Sequence, residues 1–167
     1  MSEYFRQANP YQVVTDYPIG NEVWSKFGEM NGEQIRNLQE TRFLQLVKKA
    51  WSNPFYLRRW SSVGLEPGDI VSLDDITKIP TFSKSDLMES VEKFPPFGDF
   101  IGKASWADGQ RVVMHTTSGT TGNPQPLFYG PRDREIQNAL LARAYLLQGL
   151  SHADIAHSVS GCAMVNG

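Results

Sequence analysis

At 167 residues, with 40% apolar and 11% aromatic residues, the chain suits one domain or part of a larger one and can build a packed core, which excludes a disordered polypeptide. Its formal charge of −2, with both signs well mixed, leaves no basic footprint for nucleic acid and no polybasic membrane patch. No apolar run approaches the ~20 residues of a membrane-spanning helix, residues 1–6 lack a signal-peptide core, and a single cysteine, Cys162, excludes a disulfide framework and a Cys-rich metal site, so a soluble cytoplasmic protein is expected.

In chain order, residues 1–30 show no clear period, and an irregular arm is expected there, packing through Tyr4, Phe5, Tyr11, Tyr17, Trp24 and Phe27. A helical segment, 31–96, follows. Ile35, Leu38, Phe43, Leu46, Val47 and Ala50 recur at helical spacing, which predicts a helix over 33–51. Asn53-Pro54 ends it, because proline disfavours an α conformation at the preceding residue. A second helix is expected over 55–63, with Gly64 as its C-terminal cap. Ser72 with Asp75, and Ser83 with Asp86, stand at capping spacing and predict short helices near 73–78 and 84–92.

The pattern changes after Gln110. Residues 111–116 and 126–129 are β-prone. Asp133 is expected to cap a helix over 133–148, and residues 155–159 read as another strand. Helices thus give way to a strand–loop–strand–helix–strand order, an α/β signature, with residues 97–167 opening the α/β domain.

The loop between the first two strands carries the most chemistry. It reads Thr116-Thr117-Ser118-Gly119-Thr120-Thr121-Gly122-Asn123-Pro124. Small residues let a backbone turn sharply and approach a ligand, and successive N–H groups with hydroxyls form a concave donor surface for phosphate oxygens. A Walker A loop is excluded, since the run holds no lysine. On residue types alone, a solvated Ser/Thr turn remains the alternative.

The run resembles the phosphate-binding loop of the adenylate-forming (ANL) enzymes, whose signature is approximately [ST]-S-G-T-T-G-x-P. The likeness extends along the chain to the phenylacetate–CoA ligase branch. It covers Asn53-Pro54-Phe55-Tyr56, the segment from Gly64 to Ile70, Ser72-Leu73-Asp74-Asp75-Ile76, Ile79-Pro80, Ser83-Lys84-Ser85-Asp86-Leu87, and the spacing from Gly149 to Asp154, roughly residues 33–160 in all. The resemblance implies part of the ANL-type N-terminal α/β sheet domain, and ATP-dependent activation of a carboxylic acid, with an aryl or arylacetic acid as the family-level expectation. The acyl group then passes from the adenylate to coenzyme A, with ATP, Mg2+ and coenzyme A as the small molecules involved.

By the same resemblance Thr117, Ser118, Gly119, Thr120, Thr121 and Gly122 bind the ATP phosphates. Ser118, Thr120 and Thr121 offer hydroxyls, the two glycines give backbone access, and Thr117 positions the loop. These are positioning and electrostatic roles, and neither a catalytic nucleophile nor a metal ligand is expected. Gln125 stands where many superfamily members carry lysine. Family members continue for several hundred residues beyond the position matching Gly167. A truncated α/β sheet is therefore expected, inactive alone, and either oligomeric or dependent on the remaining chain. A non-catalytic nucleotide-binding or scaffolding module is the alternative.

Elsewhere the residues favour plainer roles. Cys162 reads as a small buried side chain, Asp74-Asp75 as helix capping rather than a metal pair, and Lys48-Lys49 and Arg58-Arg59 as solvated faces. His115 leads into the loop and could either line the site or be a satisfied imidazole.

Overall fold

The computed structural model describes residues 2–101, 111–117 and 124–157. The chain forms two compact units, Met30–Ala104 and a second built from Met1–Glu29 with Ser105–Gly167.

The Met30–Ala104 unit is helical, and local signals set its elements. Helix α3 (Gly32–Trp51) begins at Asn31, whose side chain accepts from the Gln34 N–H at 2.9 Å while Gln34 Oε1 accepts from the Asn31 N–H at 2.9 Å. This reciprocal box satisfies two donors that a helix start otherwise leaves unpaired. Helix α4 (Pro54–Ser62) starts on Asn53, which accepts from Phe55 N–H at 3.0 Å, with Pro54 in the first turn where its missing N–H does no harm. Gly64, at φ +81°, follows the end of α4 and turns the chain. A 3₁₀ helix, Leu73–Lys78, and α5 (Lys84–Lys93) occupy the two capped segments.

This unit's core gathers Val47 of α3, Trp60 of α4, Leu65 and Ile70, with Phe43, Leu44, Trp51 and Tyr56 against it. Trp51 and Trp60 meet edge to face at 4.9 Å, a geometry that adds to their burial. Phe55, fully buried, is ringed edge-on by Tyr56, Phe82 and Phe100. Of the arginines expected on a solvated face, Arg58 is exposed and Arg59 half-buried, and both are paired. Arg58 forks onto both carboxylate oxygens of Asp99, and Arg59 bridges Asp86 at 2.9 Å and the Thr81 carbonyl at 3.0 Å. Their planar donors match oxygens that the 94–101 turn and the cap of α5 present.

In the other unit, residues 1–30 are not an irregular arm. Glu3–Ala8 form α1, Pro10–Asp16 form α2, and Trp24–Gly28 make one π-helical turn. Asn9 separates the two helices at φ +46°, and its side chain caps α2. Helices this short are marginal alone, so packing holds them. Both lie against α6 (Pro131–Leu147), where Ala8, Val13 and Ala139 are buried. Arg132 pairs with Asp16 at 2.8 Å, and Arg143 donates twice to the Pro18 carbonyl, at 2.9 and 3.1 Å. Several aromatics expected to anchor the segment are outward instead, Tyr11 at 78% and Trp24 at 60% exposed. The small apolar side chains do the packing.

Among the described residues, the sheet of this unit has two antiparallel strands, β1 (Val113–Thr116) and β2 (Pro126–Tyr129). Their register sets Val113 opposite Tyr129, Met114 opposite Phe128, His115 opposite Leu127 and Thr116 opposite Pro126. Helix α6 starts two residues before Asp133. Gly130 is the cap position, Pro131 opens the helix, and Asp133 reaches back to accept the Gly130 N–H at 3.1 Å. The strand expected at 155–159 is absent from its described part, residues 155–157. Ile155 is fully exposed there, with no neighbouring strand among the described residues to complete a ladder. Residues 158 and 159 lie outside the described residues.

Candidate functional site

The strand pair is the stem of the Ser/Thr/Gly loop. Just past the ladder, Thr117 N–H donates to the Gln125 carbonyl at 3.0 Å, and the Gln125 N–H returns to Thr117 Oγ1 at 3.0 Å. Proline has no N–H. In Pro124-Gln125-Pro126 the Gln125 N–H is therefore the one backbone donor of three residues. It goes to the Thr117 hydroxyl, and the Gln125 carbonyl goes to the Thr117 backbone. Two bonds thus draw the ends of the loop together into a neck.

Of the residues expected in the site, Thr117 is placed, with its hydroxyl oxygen accepting inside that neck. Ser118, Gly119, Thr120, Thr121 and Gly122 lie outside the described residues. Sequence reasoning treated Gln125 only as a missing lysine. The two flanking prolines mark its N–H as the single donor of the return segment, and the register of the strands supplies the partner. Next to the neck, the His115 ring meets Tyr129 edge to face at 5.4 Å, and its Nδ1 is buried without a hydrogen-bond partner among the described residues.

Other candidate groups take structural roles. Asp75 accepts from the N–H groups of Val71 and Ser72 at 2.9 and 3.0 Å and pairs with Lys78 at 2.8 Å. The Lys78 ammonium first, and then these N–H donors, hold its carboxyl well below the usual carboxylate range. Asp74 turns to Arg36 at 2.6 Å on the surface. Among the described residues no group of three or more His, Cys, Asp or Glu could hold a metal ion, and no helix is long and apolar enough to cross a membrane. Cys162 lies outside the described residues.

No family model matches the chain. It is 30% identical over 137 residues to a phenylacetate–coenzyme A ligase of Aromatoleum evansii, and 30% identical over 136 residues to that of Escherichia coli K12; each match takes in 81% of this chain. The chain is a phenylacetate–CoA ligase-like member of the adenylate-forming superfamily. Solved structures agree. A 2-hydroxyisobutyryl-CoA ligase in its postadenylation state, in complex with 2-HIB-AMP, superposes on 72% of this ligase-like chain with a TM-score of 0.62 and 29% identity. The same enzyme in the thioesterification state, with 2-HIB-AMP and CoA, covers 62% of it at a TM-score of 0.53 and 34% identity. The ligase-like chain spans 29% of the length of the two phenylacetate ligases and 22–25% of the solved chains. Its described elements thus match one part of the architecture of these ligases.

Proposed function

We propose that this chain supplies the triphosphate-holding part of an ATP-dependent acid–coenzyme A ligase working in the cytoplasm. The observation that supports it most is the neck closed by Thr117 and Gln125 beneath the Ser/Thr/Gly run. A loop pinned at its base can offer donors without being reorganised at the moment of reaction, which is where electrostatic catalysis gains.

In the first half-reaction an oxygen of the carboxylate attacks the α-phosphorus of ATP. The bond from that phosphorus to the bridging oxygen breaks, and pyrophosphate leaves. In the second, the coenzyme A sulfur attacks the acyl carbonyl and AMP departs. Ser118, Thr120 and Thr121 donate hydroxyls to the β- and γ-phosphates, Gly119 and Gly122 let backbone N–H groups approach, and Thr117 holds the loop's base. Magnesium accompanies the ATP. The described residues offer no group of three or more His, Cys, Asp or Glu for it. The acid is a small molecule, with an aryl or arylacetic acid as first choice.

The test is exchange of radiolabelled pyrophosphate into ATP by the polypeptide translated from the whole reading frame, over a panel of carboxylic acids. Exchange that depends on an aryl or arylacetic acid is expected, and the 167 residues alone are expected to give none. Nucleotide binding without exchange for any acid would favour a non-catalytic module.

A further inference from the structure

The helical unit holds a pocket that its core leaves unfilled. About 270 Å³ of space lies against Phe43, Val47, Trp60 and Ile79, all within Met30–Ala104. Apolar cavities of about 150 Å³ already admit benzene, so this one has room for a ring with a short side arm.

Three of the lining residues are polar. Asn53 has both amide atoms committed, Nδ2 donating to the Phe100 carbonyl at 2.8 Å and Oδ1 accepting from the Phe55 N–H at 3.0 Å. The other two are Lys49 and Tyr56, whose ammonium and hydroxyl make no hydrogen bond or ion pair among the described residues. A tyrosine packed into a core ordinarily finds a partner for its hydroxyl, and the Tyr56 ring is held by Phe55, Trp60 and Phe82. A lysine on an apolar wall lays its methylenes along that wall and keeps its charge in water. Lys49 is exposed, so its positive charge stands at the mouth of the pocket. Neither aspartate nor glutamate lines the pocket to offset it.

We infer that this pocket binds a small monocarboxylate with a hydrophobic body, the body against the apolar wall and the carboxylate at the mouth with Lys49 and Tyr56. Carboxylate oxygens only accept, and both residues can donate to them. A neutral apolar guest would leave the ammonium unpaired, and an amine would be repelled by it. The inference does not rest on the ligase reading, since no residue of the Ser/Thr/Gly loop takes part in it.

The test titrates sodium 3-phenylpropanoate, without nucleotide, into the 167-residue chain carrying labelled methyl groups. The Val47 and Ile79 resonances should move saturably, while those of Val13 and Ala139, buried in the other unit, stay in place. The alcohol 3-phenylpropan-1-ol has the same body without the charge and should bind more weakly. Lys49→Met keeps the length of the side chain and breaks no pair within the fold. It should weaken binding of the acid roughly twofold to fivefold, the range of an exposed ion pair, and leave that of the alcohol unchanged. Unmoved Val47 and Ile79 resonances overturn the inference, as does an acid bound no more tightly than the alcohol, or no less tightly by Lys49→Met. Movement that disappears in the protein translated from the whole reading frame would mean that further chain fills the pocket, and overturns it too. Each of these outcomes leaves the ligase reading, tested by pyrophosphate exchange, standing.

Discussion

The two units bury their apolar residues very differently. In Met30–Ala104 the caps, the buried Val47–Trp60 cluster and the arginine forks onto Asp99 and Asp86 reinforce one another. In the unit that carries the stem, the buried apolar side chains among the described residues are small, Ala8, Val13 and Ala139, while Leu140, Leu141, Tyr145, Leu146 and Leu147 of α6 are exposed. A helix apolar on so many sides normally belongs inside a core. The comparison teaches how differently the two units are held: the helical unit by large aromatic side chains and arginine pairs, the other by small side chains and a hairpin pinned at Thr117 and Gln125.

The largest break in that contrast should come from Phe55→Ala. It removes a fully buried ring from the aromatic cluster and should lower the stability of the helical unit by about 3–5 kcal/mol, read from urea unfolding. An effect below 1 kcal/mol, on the scale of a surface substitution, would mean that the cluster does not hold the unit. Next is Gly98→Ala. Gly98 sits at φ +82°, and a Cβ there would fall 2.6 Å from the Phe100 ring and 2.7 Å from Ser90 Oγ. The left-handed backbone alone should cost about 1–2 kcal/mol, and the clash adds to it. Ser90 Oγ both donates to and accepts from Asp99, so the variant should also loosen the Arg58 fork.

Thr117→Val tests the other unit. It keeps the shape but leaves the Gln125 N–H without its acceptor, at about 1 kcal/mol. Faster hydrogen exchange at the Gln125 amide, reversed by Thr117→Ser, is the expected outcome, with urea unfolding of the helical unit unchanged. The smallest effect concerns pH. The Asp75 carboxyl is held low chiefly by Lys78, and that of Asp86 chiefly by the Ser83 N–H. A lowered folded value stabilises above the ordinary carboxylate range and is lost as pH falls through it. Between about pH 6 and about pH 3, the urea midpoint of the parent should therefore drop more than that of Asp75→Asn. Parallel curves would remove Asp75 from the account.

Legibility in the sequence followed the range of the forces. Ser72 and Ser83 act with partners three residues away, and the helices they start were readable from capping chemistry, whereas α3 was read from its apolar spacing and the caps at Asn31 and Asn53 went unread. The β-prone runs on either side of the loop also paired as expected. Residues 1–30 were misread because α1 and α2 exist through contacts with α6, more than a hundred residues later, as the Asp16–Arg132 pair illustrates. Arg58 is exposed as expected, but its pairing with Asp99, like that of Arg59 with Asp86, depends on residues far along the chain and was not readable. At the site, Thr117 was singled out from the sequence, whereas its bond to Gln125 needed the register of the two strands.

The central claim is that the run from Ser118 to Gly122 above this neck grips triphosphate. The most direct test separates the two half-reactions in the protein translated from the whole reading frame, carrying Thr120→Val and Thr121→Val together. Adenylation should fall by at least roughly tenfold to a hundredfold, the effect of losing a donor to a charged phosphate. Transfer to coenzyme A from preformed acyl-adenylate should fall less, because β- and γ-phosphates are present only in the first step. Unchanged adenylation would contradict the claim, and an equal loss in both steps would assign these threonines to the fold rather than to phosphate.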